Sequence, residues 1–212
     1  GIRDKLVTGV QTCALPISTG AGNWQIYIPA GVVRFYYDGS NYFSNGSLST
    51  GQWYHLAFTR SGSTIRTFIN GVLQATTVTF AGTVGRNDTL WIGAQHSGGP
   101  QYFLNGYISN ARIVNGTALY TATFTPPNLL LNPLTAVTNT KLLLKTLNDS
   151  TYITDSSALS TSVTTNGSVS KSSNFPTANP EYNYSLYFRS EEHASELQSL
   201  AYLACRLLLE KK

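Results

Sequence analysis

Short segments in which apolar and polar residues alternate follow one another through the middle of the chain, and turn-forming residues separate them. In WYHLAFTR, residues 53–60, the odd-numbered side chains fall on one face of an extended chain and the even-numbered ones on the other. Alternation of this kind predicts half-buried β-strands. We predict strands at residues 24–28, 32–37, 41–44, 53–60, 64–69, 72–78, 90–94 and 106–114. Short strands at this spacing predict an all-β chain, folded as an antiparallel jelly-roll β-sandwich.

Four Asn-Gly pairs, at residues 45–46, 70–71, 105–106 and 115–116, mark predicted turns. The pair Asn70-Gly71 lies directly between the predicted strands 64–69 and 72–78. A type I′ turn needs positive φ angles at both central residues, and Asn and Gly tolerate them well. This pair therefore gives the strongest hairpin prediction in the chain.

The C-terminal segment, residues 191–212, has a helical pattern instead. Two glutamates open it and two lysines close it, as a helix dipole favours. Its apolar residues fall on one side of a helix: Leu197, Leu200, Leu203, Ala204, Leu207 and Leu208. We therefore predict an amphipathic C-terminal helix, for which docking on a partner or lying on a membrane surface are the functional alternatives.

Both ends of the chain also resemble translated sequencing adapter. RSEEHASELQS and LACRLLLEKK, within residues 189–212, resemble the translation of a standard short-read adapter, and VTGVQTCALPI, residues 7–17, resembles that of the opposite adapter. The chain contains no Met. We therefore expect an internal fragment of the metagenomic kind, in which residues 1–18 and 189–212, with the predicted helix, are artefactual.

Charge and cysteine content narrow the function classes. Residues 19–188 hold eight basic and five acidic side chains, a net charge of +3 that is too small and scattered to suggest nucleic acid. No stretch of eighteen apolar residues occurs, so we expect no membrane insertion. Cys13 and Cys205 both lie in the adapter-like ends and outside any CxxC motif, so they predict neither a disulfide nor a metal site.

Two motifs resemble the laminin-G-like family of concanavalin A-like lectin and glucanase domains. TGQWYHLAFTRSGSTIRTFINGVLQATT, residues 50–77, is similar to the central hairpin of these domains. LWIGA followed by FLNGYISNARIVNGTALYTATFTPP is similar to the last strands of the version found in phage tail, virion and bacterial surface proteins. The resemblance implies a sandwich at residues 19–130 that lacks its first strands, which are expected before Trp24.

After a predicted linker at residues 131–140, residues 141–188 resemble the opening strands of a second copy of the same domain. The first and last strands of this sandwich are neighbours, so residues 141–188 are placed to fill the positions that the first copy lacks. The result would be a circularly permuted single domain. That interpretation requires strand pairing between residues 141–188 and 24–114. Two partial tandem repeats are the alternative.

The predicted loops are rich in side chains that suit carbohydrate, because aromatic rings stack on the C–H surfaces of sugars and amides bind their hydroxyl groups. The candidate ligand-binding residues are Tyr36, Asn41, Tyr42, Arg86, Asn87, His96 and Tyr102. Taken singly, each has a structural alternative, since Tyr suits half-buried sheets and Asn suits turns. The three tryptophans, Trp24, Trp53 and Trp91, we assign to the core.

Calcium is the one cofactor that the resemblance implies, because laminin-G-like domains often hold Ca²⁺ at the sandwich rim through oxygen ligands. Asp38 and Asp88 are the candidate metal ligands, and turn formation is the alternative for both. Glycoside hydrolysis needs paired carboxylates. The acids of residues 19–188 all lie in predicted loops without an alternating partner, so we expect no catalytic residues and no enzyme.

The sequence therefore predicts a non-catalytic module that binds a glycan or a cell-surface receptor. We expect it to be repeated within a larger phage tail, virion or bacterial adhesion protein and to lie extracellularly, at the cell surface or on the virion. A purely structural spacer of a fibre is one alternative. A non-catalytic appendage of a glycoside hydrolase is the other.

Overall fold

The computed structural model describes residues 24–37, 40–82, 89–96, 100–101, 104–127, 134–145, 153–166, 169–173, 185–188, 194–198 and 203–209. These residues form eighteen β-strands and one 3-10 turn, Pro29–Gly31. The strands are β1 Trp24–Tyr27, β2 Val32–Tyr37, β3 Ser40–Ser47, β4 Trp53–Ser61, β5 Thr64–Ile69, β6 Val72–Leu73, β7 Val78–Thr79, β8 Thr89–Ile92, β9 Gln95–His96, β10 Pro100–Gln101, β11 Gly106–Val114, β12 Thr140–Lys145, β13 Thr154–Asp155, β14 Val163–Asn166, β15 Ser170–Ser172, β16 Ser185–Phe188, β17 Ala194–Gln198 and β18 Leu203–Leu209. Over the described part of the chain, no helix is long and apolar enough to cross a bilayer.

One large antiparallel sheet, which we call the central sheet, organises the molecule. Its strand order is β13-β12-β11-β18-β4-β5-β6, with β16 also paired to β11, β15 to β16 and β7 to β5. Three smaller sheets have the orders β1-β2-β3, β14-β17-β8 and β10-β9. The predicted all-β, antiparallel fold is confirmed.

The main core joins the central sheet to the sheets β1-β2-β3 and β14-β17-β8, as expected of a sandwich. It takes apolar side chains from strands of both groups and includes Ile28, Leu90, Leu104, Ile113 and Phe188, each fully buried. Alternation along the strands supplies these side chains, because every second residue points to the same face of a sheet. The buried apolar area is the main favourable contribution to folding.

The hairpin between β5 and β6 forms as predicted. Asn70 and Gly71 have φ angles of 50° and 79°, both positive as a type I′ turn requires. The backbone N–H of Asn70 donates to the His55 carbonyl at 2.8 Å, and the N–H of His55 donates to Asn70 Oδ1 at 2.9 Å. The turn predicted at Asn45-Gly46 is wrong, since both residues lie within β3, where a register shift against β2 accommodates them.

Two strands of the segment 141–188 pair with β11. β12 lies antiparallel to its C-terminal half, with Ala111 opposite Leu144, and β16 lies antiparallel to its N-terminal half, with Ile108 opposite Leu186. The pairing that a circularly permuted domain requires is therefore present. The choice between a permuted domain and two partial repeats stays a prediction.

The predicted C-terminal helix is wrong. Residues 194–198 and 203–209 form β17 and β18, and β18 lies between β4 and β11 in the central sheet. A strand flanked on both edges satisfies its backbone groups by pairing, and β18 is paired in this way along LACRLLL. Sheet pairing thus overrides the helical periodicity of this segment. The adapter origin of both ends stays a prediction.

Candidate functional site

The central sheet has an inner face on the main core and an outer face, and β4 shows how the sequence divides between them. Leu56 and Phe58 belong to the main core. His55, Ala57 and Thr59 lie on the outer face, where they contact the segment that follows β11. The alternation predicted along residues 53–60 is confirmed.

A segment that we call the strap, residues 117–127, crosses the outer face of β4 and β5. The rings of Tyr120 and Phe124 stack in parallel, with centroids 3.6 Å apart and an interplanar angle of 4°. Phe68 meets both rings edge-on, at 6.2 and 5.3 Å between centroids. The N–H of Phe124 donates to the carbonyl of Gly71 at 3.0 Å. The strap therefore closes this half of the outer face.

Arg112 fastens the strap to the next part of the chain. Its side chain is 6% exposed. Nη1 donates to the carbonyl of Thr135 at 2.9 Å, and Nη2 donates to the phenol oxygen of Tyr120 at 3.3 Å. The planar guanidinium can serve two acceptors at once, which a lysine could not do with the same geometry. Arg112 is thus a structural cation beneath the strap.

The other half of the outer face carries three half-buried aromatic side chains, which we call the aromatic row: Trp53 of β4, Tyr107 of β11 and Tyr187 of β16. The ring centroids of Trp53 and Tyr107 lie 6.3 Å apart at 47°, and those of Tyr107 and Tyr187 lie 5.0 Å apart at 31°. Their neighbours Ile108 and Leu186 belong to the main core, so the row points away from it.

Strand register aligns the aromatic row across the sheet. Tyr107 is directly opposite Tyr187, and both Trp53 and Tyr107 are opposite Leu208 of β18. The exposed Ser170 of β15 continues the line beyond Tyr187. Contiguous apolar surface with polar groups at its border is typical of a ligand-binding surface. Aromatic rings supply such surface at little cost in conformational entropy, since each side chain has only two rotatable bonds.

The carboxylate of Asp155 has a structural task. Oδ1 accepts from the N–H groups of Leu143 and Ser157 at 2.9 and 2.8 Å, and Oδ2 accepts from the Ser157 hydroxyl and the Thr161 N–H, both at 2.8 Å. Burial by itself raises the pKa of Asp155. The three backbone donors and the Ser157 hydroxyl stabilise the charged form, and their combined effect is larger, so the pKa lies below its usual value. With its oxygens so engaged, Asp155 anchors the turn at 155–161.

A family model of the concanavalin A-like lectin/glucanases superfamily, in its laminin G form, matches residues 7–122, more than half of the chain. The chain belongs to this family. No curated protein and no solved structure matches it. The matched range contains β1 to β11, so the resemblance carried by the hairpin and by the last strands is confirmed at the level of the family. Laminin-G-like domains are often non-catalytic binding modules.

The ligand-binding residues predicted for this laminin-G-like domain are only partly within the described residues. Tyr36 lies in β2 with its ring edge-on to Tyr27 at 6.5 Å, and Asn41 of β3 is directly opposite it. Tyr42 lies in β3, and His96 of β9 is opposite Pro100. Arg86, Asn87 and Tyr102 lie outside the described residues. The structure thus brings Tyr36 and Asn41 together, and the set as a whole stays a prediction.

The predicted calcium ligands, Asp38 and Asp88, also lie outside the described residues. Within the described ranges no group of three or more His, Cys, Asp and Glu side chains could hold a metal ion. The calcium site stays a prediction.

The aromatic row was missed because Trp53 was assigned to the core. Trp24 and Trp91 are buried, at 4% and 9% exposure, but Trp53 is half-buried on the outer face. Alternation shows that Trp53 shares a face with Ala57, but it does not show which face meets the core. The strap covers the outer face at Ala57 and so makes both faces of β4 apolar. The useful signal is that Trp53 and Phe58 are five residues apart in one strand, so their side chains lie on opposite faces. Because Phe58 faces the main core, Trp53 faces away from it.

Proposed function

We propose that this laminin-G-like domain is a non-catalytic carbohydrate-binding module of a larger extracellular, cell-surface or virion protein. The aromatic row is the observation that carries the proposal. Three rings in contact form one apolar surface. The exposed hydroxyl of Ser170, opposite Tyr187, and the exposed amide of Gln52, next to Trp53, lie beside it. That combination matches a sugar, whose C–H faces are apolar and whose edges carry hydroxyl groups.

The same arrangement supports binding without catalysis. Cleavage of a glycosidic bond uses two carboxyl groups placed on either side of it, at a separation set by the mechanism. Of the five acids between residues 19 and 188, Asp155 is the one that the structure describes, and its carboxylate is held by four hydrogen bonds. The aromatic row contains no carboxyl group. We therefore assign the row to recognition.

The test is a screen of the full chain against a glycan array, followed by affinity measurements with the best oligosaccharide. We expect Trp53→Ala and Tyr187→Ala to weaken binding at least about tenfold each, since aromatic anchors dominate the affinity of such surfaces. Tyr36→Ala is the matched control, because it removes a half-buried tyrosine of the predicted loop set. Thermal unfolding of each variant separates loss of binding from loss of fold.

Three results would count against the proposal in different ways. Loss of binding in Tyr36→Ala alone would place the sugar at the predicted loop residues and not at the aromatic row. Binding of no glycan by the folded chain would contradict carbohydrate recognition and favour the spacer of a fibre. Glycan hydrolysis by the chain would contradict a non-catalytic role.

A further inference from the structure

The aromatic row crosses the central sheet from strand to strand. Trp53 and Tyr107 are both opposite Leu208, and Tyr107 is opposite Tyr187, so the three rings follow one line across the strands. The distances between ring centroids along this line are 6.3 and 5.0 Å. Each distance is similar to the length of one pyranose unit in an extended sugar chain. The row can therefore place one sugar on each ring.

One flank of the row is closed. The next outer-face residues along β4, β11 and β16 are His55, Ser109 and Ser185, and they are 3%, 0% and 0% exposed. Phe124 of the strap lies edge-on to His55, with the ring centroids 5.6 Å apart. On the other flank, β4 begins at Trp53, so the row lies at the end of this strand. A sugar chain on the rings is therefore directed along the row and not along the strands.

The two ends of the row carry exposed polar residues. Gln52 precedes Trp53 in the chain, and Ser170 of β15 is directly opposite Tyr187. A site that takes the end of a sugar chain needs a wall that stops the chain, whereas a site for an internal stretch is open at both ends. The amide and the hydroxyl can bind the hydroxyl groups of a neutral sugar, but neither supplies a positive charge for an acidic one.

The three rings are inclined to one another. The interplanar angle is 47° between Trp53 and Tyr107 and 31° between Tyr107 and Tyr187. Sugars at the surface of a packed polysaccharide such as cellulose present coplanar faces, which cannot lie flat on three inclined rings at once. A single chain in solution can do so, because rotation about its glycosidic bonds turns each sugar relative to the next. The inclination therefore favours a soluble chain.

We propose that the aromatic row binds an internal stretch of three consecutive sugars in a soluble, neutral, linear glycan. Tyr107 holds the middle sugar, and Trp53 and Tyr187 hold the outer two. This inference rests on the proposed function and adds to it the class and the length of the ligand. Affinity then increases with the length of the oligosaccharide only until all three rings are covered.

A length series tests the proposal. Laminari-, cello- and manno-oligosaccharides of one to six sugars are titrated into the full chain by calorimetry. In the series that binds best, we expect the affinity to rise at least about tenfold from the disaccharide to the trisaccharide, because the third ring is then covered. From the trisaccharide to the hexasaccharide we expect a rise of less than about twofold. A maximum at any other length would overturn the assignment of one sugar to each ring.

Two tyrosine variants of the row separate binding of an outer sugar from a general loss of binding. Tyr187→Ala should remove the gain from the disaccharide to the trisaccharide and change the affinity for the disaccharide less than about twofold, since two adjacent rings remain. Tyr107→Ala is the matched control, and it should weaken the disaccharide and the trisaccharide alike. Thermal unfolding of both variants reports on the fold. Equal weakening at every length in the folded Tyr187→Ala variant would overturn the proposal.

Binding to insoluble polysaccharide is the second measurement. We expect cellulose and chitin powders to leave the full chain in the supernatant at concentrations at which the trisaccharide saturates it. Capture by either powder would overturn the selection of a single soluble chain. A branched or acidic sugar that binds on a glycan array, without binding of the three linear series, would overturn this inference and leave the proposed function in place. Absence of all glycan binding would overturn both.

Discussion

Trp53 and Tyr107 lie with their ring centroids 6.3 Å apart although the strand β18 separates the two strands that carry them. Both residues are opposite Leu208, so they share a register and a face of the sheet. Tyr187 continues this line on β16, at 5.0 Å from Tyr107. The row is therefore a property of the central sheet as a whole, and its geometry depends on the pairing of four strands.

The exposure of the three tryptophans predicts how they respond to a quencher. Trp24 and Trp91 are buried and Trp53 is half-buried, so acrylamide should quench mainly Trp53. We expect Trp53→Phe to remove most of the quenchable fluorescence and to shift the remaining emission to shorter wavelength. Trp91→Phe is the control, and it should leave the quenchable fraction in place. Equal quenching in both variants would contradict the placement of Trp53.

Asp155→Asn should destabilise the fold. The amide keeps the size of the side chain, but its NH₂ group replaces Oδ2, which accepts hydrogen bonds from the Ser157 hydroxyl and the Thr161 N–H. An NH₂ group is itself a donor and cannot accept these bonds. Loss of charge-assisted hydrogen bonds at a buried site predicts a decrease of about 2–3 kcal/mol in the free energy of unfolding, measured by urea denaturation at pH 7. Ser156→Ala, at an exposed neighbour, is the control and should change the value little.

The same carboxylate predicts a dependence of stability on pH. The pKa of Asp155 is lower in the folded chain than in the unfolded chain, so the unfolded state takes up the proton first as the pH falls. The stabilisation of the fold by the Asp155 carboxylate is complete above the pKa of the unfolded state, about 3.9, and is lost as the pH falls through the lower pKa of the folded state. The difference in unfolding free energy between the native chain and Asp155→Asn should therefore shrink below about pH 4. A difference that grew on acidification would contradict the lowered pKa.

Gly71→Ala should destabilise the chain more than Gly51→Ala does. The two glycines have similar φ angles, 79° and 75°, so both substitutions strain the backbone by about 1–2 kcal/mol. A Cβ at Gly71 would also clash with the carbonyl of Phe124 in the strap, whereas a Cβ at Gly51 meets nothing within 4 Å. We expect Gly71→Ala to cost about 1–3 kcal/mol more and to speed proteolysis within residues 117–127. Equal costs would show that the strap does not rest on this turn.

The strands of the matched family region were predictable because local chemistry determines them. The strand predicted at 64–69 has the observed bounds, and Asn70 and Gly71 adopt the positive φ angles that their sequence favours. The predicted strand 72–78 is instead two short strands, Val72–Leu73 and Val78–Thr79. Both pair with β5, as the hairpin requires.

The features that sequence did not reveal depend on distant pairing. The run that contains Leu203 and Leu207 is amphipathic as a helix, but the edges of β4 and β11 make it a strand. The aromatic row was hidden for the same reason, since its members are more than fifty residues apart and meet only through β11 and its neighbours. Arg112 likewise finds its acceptors on two separate segments, at Tyr120 and Thr135.

The central claim is that sugars bind on the aromatic row, and an NMR titration tests it most directly. The chain has three tryptophans, so a ¹⁵N-labelled sample has three indole N–H signals, which Trp53→Phe assigns by removing one. Titration with the best oligosaccharide from the glycan array should shift the Trp53 signal and leave those of the buried Trp24 and Trp91 nearly unchanged. A saturating ligand that shifts no Trp53 signal, or that shifts the other two instead, would contradict the assignment of the site.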